Sequence, residues 1–344
     1  MTQLYHWERL LATVNPANPL LLARSDVARY LDLDRCIDAV EAAFGAHGLK
    51  AAPPPSVAGV HAAAGGFHIK AGLLGDDPQY FAAKLNANFM GNGALGLPTI
   101  QGVILLCDAS TGALLAVMDS IEITAIRTAA ATAVAAKYLA RPDARVVTVC
   151  GCGTQGRAHL RALVRRRRPE EVLLYDVDRG AAEQLARELG RELDLLIRVV
   201  ESVDDAIRRS DICVTCTPSR VPFVHAGLVR PGTFVAGVGA DDESKHELSP
   251  ELLAGALVVT DVTAQCAVMG DLHHALETGQ VSLPDVHAEL GEIVAGLKPG
   301  RTRPDQITLF DSTGMALQDV AAAALVYRRC RDGGQAASQF RFNS

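Results

Sequence analysis

The run 146–163, VVTVCGCGTQGRAHLRAL, holds residues whose types and spacing point to one chemistry. A largely apolar strand pattern, Val146 to Cys150, gives way to Gly151, Gly153 and Gly156, and then to a helical pattern. A strand that empties into a glycine turn lets a pyrophosphate approach bare backbone. The helix N-terminus that follows offers it free N–H groups and a positive dipole end. Thr154 and Gln155 belong to the same turn. A second strand pattern, Glu171 to Leu174, leads into Tyr175 and Asp176. A carboxylate at that distance accepts from the ribose hydroxyls of NAD and repels a 2′-phosphate. Arg179 lies close enough to keep NADP possible. Strand, turn, helix and acid together specify a dinucleotide site.

The elements around this turn alternate. From Arg145 the pattern runs strand, helix, strand through 145–150, 157–166, 171–175, 180–190, 196–200, 203–209 and 211–217, with further strands at 233–238 and 256–260. That alternation predicts a doubly wound parallel sheet of Rossmann type. Ahead of it stand a short strand, Leu20–Leu22, a helix start at Ser25-Asp26-Val27, and an amphipathic helix over Leu33–His47 that ends at Pro53–Pro55. Strand patterns at Phe67–Lys70, Tyr80–Leu85, Gly102–Asp108 and Ala113–Asp119, separated by Gly- and Pro-bearing turns, predict a mostly antiparallel sheet. An alanine-crowded helix, Ile121–Arg141, joins the two halves, and Pro142 ends it. A last strand, Ile307–Asp311, and a helix, Gly314–Cys330, precede a polar tail, 332–344, that reads as loose.

Composition excludes several classes. The 344 residues carry a net charge of −6, which gives no basic field for nucleic acid or an anionic membrane. The apolar stretches Val103–Cys107 and Leu252–Val259 are too short to span a bilayer. The N-terminus, MTQLYHWERLL, lacks a signal-peptide pattern, and eight cysteines without framework spacing fit a reducing cytoplasm. Cys213 and Cys216 form C-x-x-C inside a strand pattern rather than at a helix start, so they read as packing residues, and Cys150 and Cys152 flank the glycine turn as small residues. His273-His274 reads as a solvated pair in a polar helix, and no metal site is expected.

Lys84, Pro98-Thr99, Gly102, Met118-Asp119, Ile123-Thr124, Arg127-Thr128-Ala129-Ala130 and Gly151–Gln155 occur in an order that resembles the ornithine cyclodeaminase/μ-crystallin family. The resemblance runs from about Leu20 to Tyr327. It implies a Rossmann domain, 128–313, inserted into an α+β substrate-binding and dimerisation domain made of 1–127 plus 314–344. It also implies a homodimer and a small amino or imino acid as substrate.

By the same resemblance, Lys84 and Arg127 hold the substrate carboxylate, Thr99 lies near the cofactor, and Asp241 is the acid/base at the substrate nitrogen. The residues agree with this in part. A planar guanidinium pairs bidentately with carboxylate, and a lysine of depressed pKa can move a proton. Arg127 lies among Ile123, Ile126 and Ala130, where an unpaired charge is costly. Lys84 by itself reads equally well as a strand-edge lysine. Asp241 follows a strand end, with Asp242 and Glu243 as neighbouring alternatives, and Thr217 and Ser219 follow another. His68 is either a proton relay or a structural histidine.

Two positions depart from ornithine cyclodeaminases. Pro54–Gly59 lacks their early arginine, and Lys70 follows His68 where they carry a glutamate for the distal amine. Lys70 would repel an ornithine ammonium and attract an anionic group. The sequence therefore favours an NAD(P)-dependent oxidoreductase acting at the Cα–N bond of an amino acid or its imine. A cyclodeaminase with internally recycled NAD is the alternative. A non-catalytic binder of dinucleotide and small ligand, as μ-crystallin exemplifies on this fold, is the alternative of another class.

Overall fold

A computed structural model describes residues 18–333 and 338–339. The first six strands are β1 (Leu20–Leu22), β2 (Ser56–Ala62), β3 (Gly65–Leu74), β4 (Tyr80–Asn88), β5 (Ile100–Asp108) and β6 (Leu114–Asp119). They are followed by β7 (Val146–Cys150), β8 (Glu171–Tyr175), β9 (Ile197–Val199) and β10 (Ile212–Thr215). Next come β11 (Phe234–Gly237), β12 (Leu257–Thr260), β13 (Ala288–Glu289), β14 (Thr308–Asp311) and β15 (Ser338–Gln339). They form two sheets, ordered β15-β1-β6-β5-β4-β3-β2 and β13-β12-β14-β11-β10-β7-β8-β9.

The second sheet is parallel throughout, as the alternation predicts. Its strands run outward from β7 to β9 and then return on the other side of β7 as β10, which makes a switch point beside the glycine turn. Tyr175, Cys150, Thr215, Gly237, Asp311 and Thr260 stand in one register row across six strands. Each loop that bears candidate residues therefore leaves the sheet at the same level.

The first sheet is an antiparallel meander from β2 to β6, with β1 parallel to β6. Period-two alternation sends Ala82, Lys84, Ile104 and Leu106 inward, where they are buried. It sends Phe67, Ile69, Leu85, Val103 and Leu105 outward, each 37–41% exposed. Helix Ala316–Asp332 covers the inner face at β3 and β4 and packs on helices Leu33–Gly48 and Ser120–Leu139. Alanines 129–131, 133, 135 and 136 are buried, and the small side chains let helix Thr154–Arg166 pack closely against the same helix. The Asp119 carboxylate starts that central helix by accepting from the Ile121 N–H at 3.0 Å.

Several elements differ from their sequence patterns. Strand β2 is missing from the predicted set because all seven of its residues are exposed, so it carries no buried stripe to read. The first helix begins at Arg24, with the Asp26 carboxylate accepting the Ala23 N–H. Ser338 and Gln339, expected in a loose tail, pair antiparallel with β1. Positions 334–337 and 340–344 of that tail, and the N-terminal stretch 1–17, lie outside the described residues. All eight cysteines are free, and Cys213 and Cys216 are packing residues as expected. Among the described residues, no helix is long and apolar enough to cross a membrane.

Candidate active site

The glycine turn has the backbone its sequence demands. Gly151 has φ +98°, and a Cβ there would lie 2.7 Å from the Cys216 carbonyl oxygen. A Cβ on Gly156 would lie 2.0 Å from the Gly151 carbonyl oxygen, so the helix can start here only with glycine. Gly153 and Thr154 are exposed, nothing stands within 4 Å of a Cβ at Gly153, and no side chain caps the helix. An open, uncapped N-terminus of this kind suits an anionic ligand. Asp176 closes the turn from β8: its Oδ2 accepts the Cys152 N–H at 2.7 Å and its Oδ1 the Asp178 N–H at 2.9 Å. Arg179 turns to Glu183 and Glu201, at 2.9 Å each, and so is held by two carboxylates.

The inner face of the first sheet holds a cluster of cations. Lys70 and Lys84 are direct cross-strand partners on β3 and β4. The strand-edge reading of Lys84 is wrong, because β4 lies between β3 and β5 and the side chain is buried. Lys84 Nζ stands 2.8 Å from Asp319 Oδ2, and Arg127 Nε stands 2.9 Å from Asp319 Oδ1. The Arg127 guanidinium also donates to Gln318 Oε1 at 2.8 Å. It lies against Gly314, where a Cβ would stand 2.7 Å from Nη1. Lys70 Nζ donates to the carbonyls of Thr313 and Gly314 at 2.7 and 2.8 Å.

Burial sets the proton balance of this cluster. It pushes the Lys84 ammonium down to about 7, helped by the Arg127 charge and opposed by Asp319. Burial and Arg127 push Lys70 down as well. Burial works to raise the Asp319 carboxyl, but Arg127 and Lys84 hold it below the usual carboxylate range. The result is a desolvated group of three basic side chains and one carboxylate, with a lysine poised to exchange a proton near neutrality.

Asp241 stands on the loop after β11 and is exposed, ion-paired with Lys245. Asp242 turns away and accepts from Ser244 and Lys245 within its own loop. His68 shares the inner face with Lys70; burial lowers its pKa and the Asp241 charge opposes that shift, which places the two groups in one field. Thr99 is half-buried just before β5, its carbonyl accepting the Phe89 N–H. Thr217 and Ser219 lie after β10 with their hydroxyls engaged, Thr217 on Glu247 and Ser219 on the Val221 carbonyl. The structure thus brings Lys84 and Arg127 together on Asp319, with Lys70 beside them on the Thr313 and Gly314 carbonyls. Asp241 stands on the loop after β11, within the field of His68 and Lys70, and Thr217 and Ser219 stand on the loop after β10.

Sequence reasoning missed Asp319, Gln318 and Glu247. The first two sit at the start of a helix after a Ser-Thr-Gly turn, and that turn is the only signal they carry. His273 and His274 are half-buried rather than solvated, because His274 stacks on His246 at 4.0 Å between ring centroids. Among the described residues, their ring nitrogens and the Glu277 carboxylate do lie within 4.8 Å of one another, a grouping the sequence did not reveal.

A parallel sheet with a glycine switch-point turn, joined through helix Ser120–Leu139 to an antiparallel sheet with a cationic inner face, defines an α/β protein with a Rossmann-type half set into an α+β half. The chain belongs to the ornithine cyclodeaminase/mu-crystallin family, whose model matches residues 17–334. It is 39% identical over 310 residues to an alanine dehydrogenase of Archaeoglobus fulgidus, an alignment that covers 90% of this chain and 94% of that one. Among solved structures it is similar to an archaeal alanine dehydrogenase dimer with bound NAD. The TM-score is 0.90 at 37% identity, covering 94% of this chain and 99% of that one. It is also similar to the Δ1-pyrroline-2-carboxylate reductase of Thermococcus litoralis, in complex with NADH and L-proline. There the TM-score is 0.87 at 34% identity, with 93% of this chain and 99% of that one covered.

Proposed function

We propose that this chain is an NAD(H)-dependent oxidoreductase acting at the Cα–N bond of an α-amino acid or the matching imine, cyclic ones included. The observation that carries the reading is the buried pairing of Lys84 and Arg127 on one carboxylate, Asp319. Three basic groups against one acid leave an excess of positive charge, which a substrate carboxylate would balance. Arg127, Lys84 and Lys70 would bind that carboxylate and fix the Cα. Gly151, Gly153, Thr154, Gln155, Gly156 and Asp176 would hold NAD, with Thr99, Thr217 and Ser219 near it. When bound, the nicotinamide would give or take a hydride at Cα. Lys84 moves a proton near neutral pH, and Asp241 serves the substrate nitrogen or the water that hydrolyses an imine.

The outward face of the first sheet, with Phe67, Leu85 and Val103 beside a groove of about 470 Å³, supports a homodimer. Eight free cysteines support a cytoplasmic setting. We place the division between halves at 127/128, inside helix Ser120–Leu139, and at 313/314.

The half-buried Lys70 ammonium disfavours ornithine, whose distal amine would face it. The presence of Lys84, Arg127 and Asp241 together argues against a binder without chemistry, which need not keep an acid/base group. Amino acids with NAD⁺, and keto acid–amine pairs or cyclic imines with NADH, followed at 340 nm, test the reading. Stoichiometric change in NADH supports it. Ammonia release from ornithine without NADH accumulation would indicate the cyclodeaminase, and silence throughout would indicate the binder.

A further inference from the structure

Glu247 lies outside every motif above, yet it is fully buried and its carboxylate has no cationic partner among the described hydrogen bonds and ion pairs. It accepts four hydrogen bonds from two loops. From β10 and its loop come the Thr215 hydroxyl at 2.7 Å, the Thr217 N–H at 2.6 Å and the Thr217 hydroxyl at 2.7 Å. From the loop after β11 comes the Gly239 N–H at 2.8 Å. The clamp is tight: a Cβ on Gly239 would stand 2.2 Å from the Thr217 carbonyl oxygen and 2.6 Å from Glu247 Cδ. The backbone of Glu247 is itself held, because Asp271 Oδ1 accepts the N–H groups of Glu247 and Leu248 at 2.7 and 2.8 Å. Asp241 lies two residues past Gly239, and its N–H donates to the Gly239 carbonyl at 3.0 Å.

We propose that Glu247 is a positioning residue: it locks the Thr217 and Gly239 loops together and so sets where the Asp241 carboxylate stands. The proposal rests on the acid/base reading of Asp241. Neutral N–H and O–H donors would choose a carboxylate here because one charged group with two oxygens can satisfy all four at once. An amide offers one oxygen and turns its NH₂ group against one backbone N–H, that of Thr217 or of Gly239. Burial pushes the Glu247 carboxyl above its ordinary range, although the four donors oppose this. A buried carboxylate retained against that cost, with no charge partner, has a geometric task.

The test uses the full chain with two probes, pyruvate plus ammonia and Δ1-pyrroline-2-carboxylate, each with NADH. Glu247→Gln should lower kcat by about 10–100-fold, the scale of a misplacement of about 1 Å, and leave NADH affinity within a few-fold. The double variant Glu247→Gln/Asp241→Asn should be no slower than Asp241→Asn alone, because both changes act through one group. Thr215→Val removes one donor without altering volume. It should show the same non-additivity at a smaller loss, and it decides the matter if Glu247→Gln does not fold. Effects that add to those of Asp241→Asn, or variants that turn over like the parent, would overturn the proposal.

Asp241→Asn alone reports on the acid/base reading, so the two failures are distinguishable. If neither probe turns over, hydrogen exchange decides. Faster exchange in Glu247→Gln at both 214–219 and 237–242 upholds the loop lock, and unchanged exchange at either segment overturns it.

Discussion

Lys70 and Lys84 face each other directly across β3 and β4, one half-buried and one buried lysine in one cross-strand pair. Like charges so placed are destabilising unless each has its own sink. Lys70 takes the carbonyls of Thr313 and Gly314, and Lys84 takes Asp319. Both sinks come from the segment after β14, so the sheet and the end of the chain hold the pair jointly.

Lys70 helps to keep the Lys84 ammonium low, behind burial and Arg127. Replacing Lys70 by Met should therefore move the Lys84 limb of the kcat/KM pH profile upward from about 7. A limb that stays in place or moves down would contradict the coupling.

A carboxylate bound beside Lys84 stabilises its charged form, so the bound-state pKa lies above the free value of about 7. Affinity for pyruvate in the presence of NADH should then be highest below that free value and weaken as pH rises through it. The slope should approach about tenfold per pH unit at most. Calorimetric titration checks this, and Lys84→Met should flatten the profile.

Arg127 and Asp319 are expected to fail differently. Arg127→Ala removes a carboxylate anchor and should cost about 2–4 kcal/mol in kcat/KM. Asp319→Asn leaves Arg127 and Lys84 buried without their shared acid and should destabilise the fold by about 3–5 kcal/mol. Denaturant unfolding beside steady-state kinetics separates the two.

Asp176 should make NADH bind more tightly than NADPH, since Arg179 is engaged by Glu183 and Glu201. Fluorescence titration of both cofactors decides it, and Asp176→Asn should narrow the gap. Tighter binding of NADPH to the parent would refute the assignment.

Leu105 points outward from the first sheet and is 40% exposed. Leu105→Glu should convert a dimer into monomers at micromolar concentration in sedimentation velocity, whereas the parent stays dimeric. A parent that sediments as a monomer would remove the role of this face.

The sequence by itself determined the parallel sheet, the glycine turn and Asp176, because those signals are local. A buried strand, a left-handed glycine and an acid at a fixed distance each declare themselves within about thirty residues. It also marked Lys84 and Arg127 as candidates, through motif order rather than through any visible partner. Only the tertiary structure decided what those charges do. Asp319 lies 192 residues from Arg127 and 235 from Lys84, and apart from the Ser-Thr-Gly turn before its helix nothing in its neighbourhood distinguishes it from a surface aspartate. Glu247, Asp261, Asp271 and Asp311 carry no local sign of burial and are all fully buried. Burial of a charge is a property of everything that packs around it. Hydrogen bonds such as those from Thr215, Thr217 and Gly239 to Glu247 arise only when separate strands end at one level. The lowered Lys84 pKa has the same origin, since desolvation and the Arg127 field exist only once β4 is covered.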